Sequence, residues 1–424
     1  MHEDFLHYLW KHKRFDVLNL VTTEFEAIEI ASVGEHNLNS GPDFFNAQIR
    51  IADQLWAGNV EIHLKSSDWY LHNHETDKTY DNVILHVVWE HDTDVFRKDN
   101  SKLPTLILKD FVSEATIKNY SALMSKAKKW INCENDFGVV DDFLLQNLLE
   151  RLYIERLEAK SGVILELLKS SNNDWETVLF KMLAKNFGLK VNGDAFYSLA
   201  NSVDFSVLRK LQPNIKQLEA LLFGQADLLN TSYEDAYYLS LQKEYKFLKQ
   251  KFKLNNDGVI PFQYFRLRPT NFPTIRIAQL AMLYHTHHNL FSKVIGLNKL
   301  KDFYNLFAIQ TTTYWQSHYT FGKTSKPIKK TISKAFVDLL LINTIIPLQF
   351  CYEKQKGNNN HENILKLIQE IKPEKNSIVD KFQSLKPVPN SAMQSQALLQ
   401  LKNAYCDKNK CLQCAVGNSI LGKN

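Results

Sequence analysis

The sequence predicts an α+β protein in which a small α/β layer precedes a longer, mainly helical region. Apolar and polar residues alternate over 44–51 and 55–65, and residues 82–90 form an almost unbroken β-branched run. Alternation is typical of a strand with one buried face, whereas the unbroken run is typical of a strand buried on both faces. From about residue 141 onward the apolar residues recur at helical spacing instead.

Three domains follow from this change of pattern. We expect an α/β domain over 1–135, a helical domain over 136–390, and a C-terminal helix with a cysteine cluster over 391–424. The predicted elements of the first domain are a helix over 3–13, strands over 23–32, 44–51 and 55–65, a polar loop with a short helix over 66–81, strands over 82–90 and 105–108, and a helix over 113–129. The later helices are predicted over 143–168, 175–186, 215–223, 233–252, 275–285, 329–346 and 391–405.

The composition is that of a soluble globular protein, with 44% hydrophobic and 23% charged residues. Acids and histidines precede the apolar residues of the N-terminus, which argues against a signal peptide. The most apolar window, residues 335–350, is short and contains Asp338, Asn343 and Pro347, so we expect no membrane span and a cytoplasmic location. The net charge of +5 permits nucleic acid as a partner without requiring it, and the oligomeric state stays open.

The strand pair over 44–65 carries the densest set of reactive side chains. Asp43 opens the first strand, and Glu61, His63 and Lys65 stand two residues apart on the second, which predicts that they share one face. Two carboxylates, Asp43 and Glu61, are the donors expected for Mg²⁺ or Mn²⁺, with sites left for water and a phosphate oxygen. His63 or Lys65 would then orient or deprotonate the attacking water. The alternative is an ordinary solvated strand face.

Two stretches, GPDFFNAQIRI and GNVEIHLK, resemble the active-site core of the PD-(D/E)XK nuclease superfamily. The resemblance implies an αβββαβ core in which a Pro-Asp pair and an acid-x-Lys motif on neighbouring strands bind a divalent metal. Asp43 and Glu61 match the two acids. His63 stands at the place of the lysine, and Lys65 lies two residues further along the same strand.

The superfamily's first helix sometimes supplies another acid, and Glu3 is the candidate for it. The chain as a whole resembles a family of uncharacterised bacterial proteins, a domain of unknown function. The stretches FLHYLWK, WAGNVEIHLKSSDWYLHNH, RLRPTNFPTIRIAQLA and the terminal YC and CLQC carry this second resemblance. It implies an architecture and no established activity.

The polar loop after the strand pair offers a second group of metal-binding side chains. His72, His74, Asp77 and Asp81 would bind a second divalent ion or form a wall of the same cleft. The alternative is that they make hydrogen bonds within the loop and cap its helix. His86 lies inside the β-branched run and is expected to be a core histidine.

Three of the five cysteines fall within nine residues near the C-terminus. Cys406, Cys411 and Cys414 predict a site for zinc or an iron–sulfur cluster, because clustered thiolates are soft metal ligands. A fourth ligand is needed from elsewhere in the chain. We expect it to be Cys133 rather than Cys351 or a histidine, and the alternative is a set of reduced, unliganded cysteines.

The segment RLRPTNFPTIR places Arg266, Arg268 and Arg276 around two prolines. Arginine binds phosphate groups in bidentate fashion, so these three residues are candidates for contact with nucleic acid. Ion pairing with the acidic residues of the chain is the alternative.

The leading hypothesis for the function is a metal-dependent phosphodiester hydrolase of nuclease type acting on DNA or RNA. The alternative is a non-catalytic nucleic-acid-binding or scaffold protein that retains a degenerate nuclease fold, which the missing lysine favours. A third hypothesis is a zinc hydrolase centred on His63, His72 and His74, and it requires the three imidazoles to converge.

Overall fold

The computed structural model describes residues 1–125, 129–358 and 361–422. It confirms the α+β class, with an N-terminal sheet and a mainly helical C-terminal region. The chain divides into two compact units. Unit 1 comprises Met1–Leu148, Ser384–Lys386 and Gln400–Asn424, and unit 2 comprises Leu149–Gln383 and Pro387–Leu399.

Unit 1 contains a mixed sheet that has seven strands among the described residues. The strands are β1 (Leu20–Val21), β2 (Ala27–Ser32), β3 (Glu35–His36), β4 (Phe44–Ile51), β5 (Gln54–Lys65), β6 (Val83–Glu90) and β7 (Thr105–Ile107). They lie in the order β1-β2-β4-β5-β6-β7, with β3 paired to β4. β2, β4 and β5 are antiparallel neighbours, whereas β6 pairs in parallel with β5 and β7 in parallel with β6.

The helices of unit 1 are short and lie before, between and after these strands. They include α1 (Glu3–Lys11), α2 (Asp68–Leu71) and α3 (Glu114–Leu123), with single 3₁₀ turns at Lys78–Tyr80, Leu108–Phe111, Phe137–Val139 and Cys411–Gln413 and a π-helical segment at Leu401–Cys406. The predicted helix over 113–129 thus ends early, and its basic end at residues 126–128 lies outside the described residues. Ser113 caps α3 by accepting a hydrogen bond from the Thr116 N–H.

Most residues of the remaining helices lie in unit 2. These helices are α4 (Asp142–Ser170), α5 (Trp175–Phe187), α6 (Leu189–Asn201), α7 (Phe205–Leu211), α8 (Ile215–Gln225), α9 (Ala236–Phe252), α10 (Pro273–Thr286), α11 (Leu290–Gly296), α12 (Leu300–Leu306), α13 (Thr313–Gln316), α14 (Lys334–Leu340), α15 (Ile346–Gln355), α16 (Glu362–Glu370), α17 (Ser377–Leu385) and α18 (Ala392–Gln400). A hairpin of β8 (His318–Thr320) and β9 (Lys323–Thr324) interrupts them, and α19 (Ala415–Leu421) ends the chain in unit 1.

Local sequence explains where many of these helices begin. Asp and Asn side chains accept hydrogen bonds from the first free N–H groups of α5, α7, α8 and α9, which leaves fewer backbone donors without a partner. The capping residues are Asp174, Asp204, Asn214 and Asp235.

The predicted strand over 23–32 is shorter in the structure, where β2 begins at Ala27. Residues 22–26 form a turn instead. The Thr22 hydroxyl accepts hydrogen bonds from the N–H groups of Glu24 and Glu26, and Phe25 has a φ of 64°. A side chain that bonds to the local backbone in this way competes with strand pairing.

Among the described residues, one helical stretch, Lys334–Gln355, is long and apolar enough to cross a membrane by length and composition. It joins α14 and α15 through a π-helical segment at Leu341–Ile345. This helix is longer than the apolar window at residues 335–350 and extends past both of its ends. However, 72% of its most apolar part is buried inside the protein. Such burial is typical of a core helix, and the cytoplasmic location stays a prediction.

Candidate functional site

The site lies on one face of β5, in the middle of the sheet of unit 1. Glu61 and His63 project from this face, and their exposed fractions are 5% and 1%. Val60 and Ile62 project from the opposite face into the core and are fully buried. The alternation of side chains along a strand therefore sets both the core face and the face of the site.

The segment after β5 brings two more histidines to the same place. α2 begins three residues after β5 ends, and His72 stands at its C-terminal end. Asn73 then adopts a left-handed conformation with a φ of 61°, which asparagine tolerates better than most residues. This reversal turns the chain back, so that the next residue, His74, lies over Glu61.

Three imidazoles and one carboxylate converge as a result. The Oε1 atom of Glu61 lies 3.3 Å from His74 Nε2 and 3.5 Å from His63 Nε2. His63 Nε2 lies 3.2 Å from His72 Nδ1. One donor atom from each of the three histidines lies within 4.8 Å of the others, so the three are candidate ligands of a single metal ion. His72 is exposed, so the cluster reaches the surface.

Aromatic packing holds His74 in position. Its ring stacks on Tyr80 with the centroids 3.7 Å apart, and the edge of Trp69 meets it at 5.4 Å. Trp69 and Tyr80 belong to a small core with Val83, Val95 and Leu103. The loop therefore has an apolar anchor of its own, and His74 is not free to move away from Glu61.

His86 orients His63 from the neighbouring strand. Parallel pairing of β5 with β6 places His86 beside Glu61 in register, and its Nε2 lies 2.9 Å from His63 Nδ1. Only one proton fits between these two nitrogens. If His63 donates it, the Nε2 lone pair of His63 faces the cluster. His86 is fully buried, as expected of a core histidine, but its main contact is with the site.

Asp43 lies next to Glu61 at the start of β4. Its N–H donates to Glu61 Oε2 at 3.1 Å, and its own Oδ2 accepts the Ile62 N–H at 2.9 Å. The Nε2 of His7, on α1, lies 3.2 Å from the same Oδ2. The two acids are thus adjacent, as the strand pair predicts, although one oxygen of Asp43 is already engaged by the backbone of β5.

Burial sets the charge of the cluster. It lowers the pKa of His63 to about 2 and that of His86 to about 3, and the neighbouring imidazoles add to both shifts. Burial also raises the pKa of Glu61, and the negative charge of Asp43 adds to this shift. Neutral rings with free lone pairs are the state in which histidine binds metal. A set of three imidazoles and one carboxylate is suited to zinc and chemically similar ions.

Glu3 and His7 connect α1 to the same cluster. Burial raises the pKa of Glu3, and the charges of His7, Asp43 and His72 act on it as well. Glu3 was predicted from the sequence as a possible site residue, whereas His7 was not. A signal was present, since the two residues stand four apart in a predicted helix and therefore share its face.

Other predicted site residues lie outside the convergence. Lys65 is half exposed, and its Nζ lies 3.8 Å from Glu90 Oε2, where β5 and β6 end. Asp77 is exposed and caps the 3₁₀ turn at Lys78–Tyr80, and Asp81 is exposed at the other end of that turn. The geometry of these three residues is that of loop and surface contacts.

The arginine segment belongs to unit 2. Arg266 and Arg268 are exposed. Arg276, in contrast, is buried, and its guanidinium donates to Gln279 Oε1 at 2.9 Å and to Asn271 Oδ1 at 2.7 Å. It also lies over the ring of Phe336. Arg276 is therefore not placed to contact nucleic acid, because its buried side chain does not reach a phosphate at the surface.

The cysteines are brought together as a separate group. Cys133, Cys406, Cys411 and Cys414 line one small cavity in unit 1. Cys351 is buried in unit 2, where its thiol faces the carbonyl of Ser161 at 3.9 Å.

No curated protein and no solved structure matches the chain. One family does match, over residues 3–377, and it is described as a protein of unknown function, DUF2851. The match includes every residue of the histidine cluster and ends before Cys406. Because it covers most of the chain, it confirms the resemblance to a domain of unknown function: the chain belongs to the DUF2851 family.

Proposed function

We propose that the chain is a metal-dependent phosphodiester hydrolase acting on DNA or RNA. The observation that carries this proposal is the convergence of His63, His72 and His74, two of which also face the carboxylate of Glu61. Buried polar groups without a cation are costly to collect in one place, so such a cluster is a candidate metal centre.

The donor atoms favour Zn²⁺ or Mn²⁺ over Mg²⁺. Imidazole nitrogen is a good ligand for zinc and similar metals, whereas Mg²⁺ prefers oxygen ligands and water. Glu61 and the three histidines would hold the ion. Asp43 stays a candidate ligand through its second oxygen, since Oδ2 already accepts the Ile62 N–H.

The order of elements supports the phosphodiesterase class. α1, β2, β4, β5, α2 and β6 follow the αβββαβ order implied by the nuclease resemblance, with short strands added. Asp43 immediately precedes one strand of the antiparallel pair and Glu61 lies inside the other, which supports the match to the two acids of that motif. The exposed Arg266 and Arg268 are compatible with a polyanionic substrate.

A bound divalent ion would act as a Lewis acid on a phosphoryl oxygen. The side chains around it have separate tasks. His86 fixes the ring of His63, and Trp69 with Tyr80 fixes His74. His72 is the exposed member of the set, so it marks the side from which a substrate would reach the ion.

A non-catalytic nucleic-acid-binding or scaffold protein is the second candidate. Two observations favour it: the lysine position is occupied by His63, whose ring is buried, and Lys65 is paired with Glu90 instead. In that case the metal would stabilise the fold without performing chemistry.

Cleavage assays test the proposal. The purified protein is incubated with single- and double-stranded DNA and RNA in Zn²⁺, Mn²⁺ or Mg²⁺, beside the variants Glu61→Ala and His74→Ala. We expect cleavage with Zn²⁺ or Mn²⁺ and a loss of about 100-fold or more in both variants. Asp81→Ala, an exposed acid of the same loop, serves as the matched control and is expected to cleave normally.

The outcomes separate the two candidates. Metal binding without cleavage by the parent protein supports the scaffold alternative. Cleavage that survives unchanged in Glu61→Ala overturns the assignment of the site.

A further inference from the structure

Four cysteines from distant parts of the chain meet in unit 1. Cys133 lies in the segment before the 3₁₀ turn at Phe137–Val139, and the other three lie between Leu401 and α19. All four line the same cavity. The other three thiols are close enough to act electrostatically on the Cys406 thiol. Cys411 and Cys414 act in the same way on the Cys133 thiol.

The backbone around the cysteines is arranged to present them. Cys411 and Cys414 occupy one tight turn, in which the Cys414 N–H donates to the Cys411 carbonyl at 3.2 Å. α19 packs directly on this turn, because a Cβ atom on Gly417 would lie 2.1 Å from the Cys411 carbonyl oxygen. Only a residue without a side chain permits that approach.

The segment of Cys133 is joined to the tail by more than the thiols. The side-chain amide of Asn132 donates to Asn409 Oδ1 at 3.3 Å and approaches Cys411 Sγ at 3.4 Å. An N–H group directed at a cysteine sulfur is a common partner of metal-bound thiolate, since it stabilises the negative charge.

The cavity itself is apolar. Its other walls include Leu123, Ile131, Phe137, Leu401 and Val416. Burial raises the pKa of Cys133 to about 12, with the neighbouring thiols adding to the shift, and it raises that of Cys406 further. Lys410 lines the cavity and the charge of Lys402 acts on Cys406, but four thiolates carry more negative charge than these two cations offset. A soft metal cofactor would compensate for their charge as thiolates.

The separation of the sulfur atoms indicates the kind of cofactor. A single zinc ion with Zn–S bonds of about 2.3 Å holds its four sulfur atoms roughly 3.8 Å apart. Among the described residues, one donor atom from each of the three histidines lies within 4.8 Å of the others. No three of the four sulfur atoms lie that close together. In an iron–sulfur cluster the four thiolates are divided among two or more irons, so the four sulfur atoms do not all stand around one metal ion.

We propose that Cys133, Cys406, Cys411 and Cys414 bind one iron–sulfur cluster, which links the C-terminal segment to the segment around Cys133. The cluster has a structural role here and is independent of the proposed hydrolase site. Neither proposal depends on the other.

Metal analysis of protein purified without oxygen tests this proposal. We expect a brown protein with a broad absorption band in the violet-blue, and iron and acid-labile sulfide in equal amounts, roughly two to four of each per chain. Cys133→Ser and Cys411→Ser are expected to lose most of both. Cys351→Ser, the buried cysteine of unit 2, is the matched control and should keep the parent content.

Limited proteolysis supplies a second measurement, in case the variants do not fold. Exposure of the parent protein to air and chelator should bleach the absorption band and make the segment after Gln400 sensitive to protease. One zinc per chain without iron or sulfide overturns the proposal, as does a cysteine site that stays without metal. Equal iron loss in Cys351→Ser would also contradict it.

Discussion

Two buried glutamates, one in each unit, show how different surroundings give the same residue type different uses. Glu61 and Glu219 have exposed fractions of 5% and 1%, and burial raises the pKa of both carboxyl groups. Glu219 accepts a hydrogen bond from Trp315 Nε1 at 2.9 Å and another from the Tyr237 hydroxyl. Glu61 accepts one N–H from Asp43 and otherwise faces the Nε2 atoms of two histidines.

The neighbours of Glu219 are hydrogen-bond donors, so its oxygens are satisfied within the protein. The neighbours of Glu61 are histidine rings, whose nitrogens also carry lone pairs. Several lone pairs therefore meet in one place, and few protons lie between them. One cation satisfies all of them at once. A buried acid thus indicates a metal site when other bases surround it, and a structural network when donors do.

The largest expected effect is on metal affinity. Glu61→Gln removes the carboxylate charge from the histidine cluster and should weaken Zn²⁺ or Mn²⁺ binding by about 100-fold or more. Glu219→Gln, the same change in the other unit, should leave the affinity at that site unaltered. Titration calorimetry of both variants measures the difference, and equal losses would show that the comparison is mistaken.

A smaller effect is expected on the dependence of stability on pH. Burial raises the pKa of Glu219 to about 7 from an ordinary value of 4.5, so the folded chain keeps a proton that the unfolded chain releases. The free energy of unfolding should therefore fall as the pH rises from about 4.5 to about 7, by a few kcal/mol from this group.

Glu219→Gln should flatten that decline, because glutamine has no proton to release. Urea unfolding followed by tryptophan fluorescence at a series of pH values across the window measures it. A decline as steep in the variant as in the parent would place its origin in another group.

The smallest effect is expected from Lys65→Ala. The Lys65 amine is half exposed and 3.8 Å from Glu90 Oε2, and an exposed pair of this kind contributes about 0–1 kcal/mol. Metal affinity and any cleavage activity should match those of the parent protein. A large loss of activity would instead restore Lys65 to the catalytic face and move the site toward the end of β5.

Much of the sheet was predictable because its signals are local. The observed bounds of β4 agree with the predicted ones, and β5 and β6 each begin one residue away from the prediction. The turn at residues 22–26 was missed because Thr22 bonds to the nearby backbone, which alternation alone does not reveal. The burial of Arg276 was not predicted, for a different reason. The helical periodicity of α10 does not reveal which other elements pack against it.

The sequence by itself determined the α+β class, the shared face of Glu61 and His63, and the adjacency of Asp43, because these follow from a strand period of two and a short hairpin. Only the tertiary structure decided that His86 meets His63, that His74 turns back over Glu61, and that Cys133 joins three cysteines more than a hundred residues later in the chain. Those contacts depend on parallel strand pairing, on one left-handed residue and on the course of the C-terminal segment. None of these is encoded in the spacing of residues along the chain.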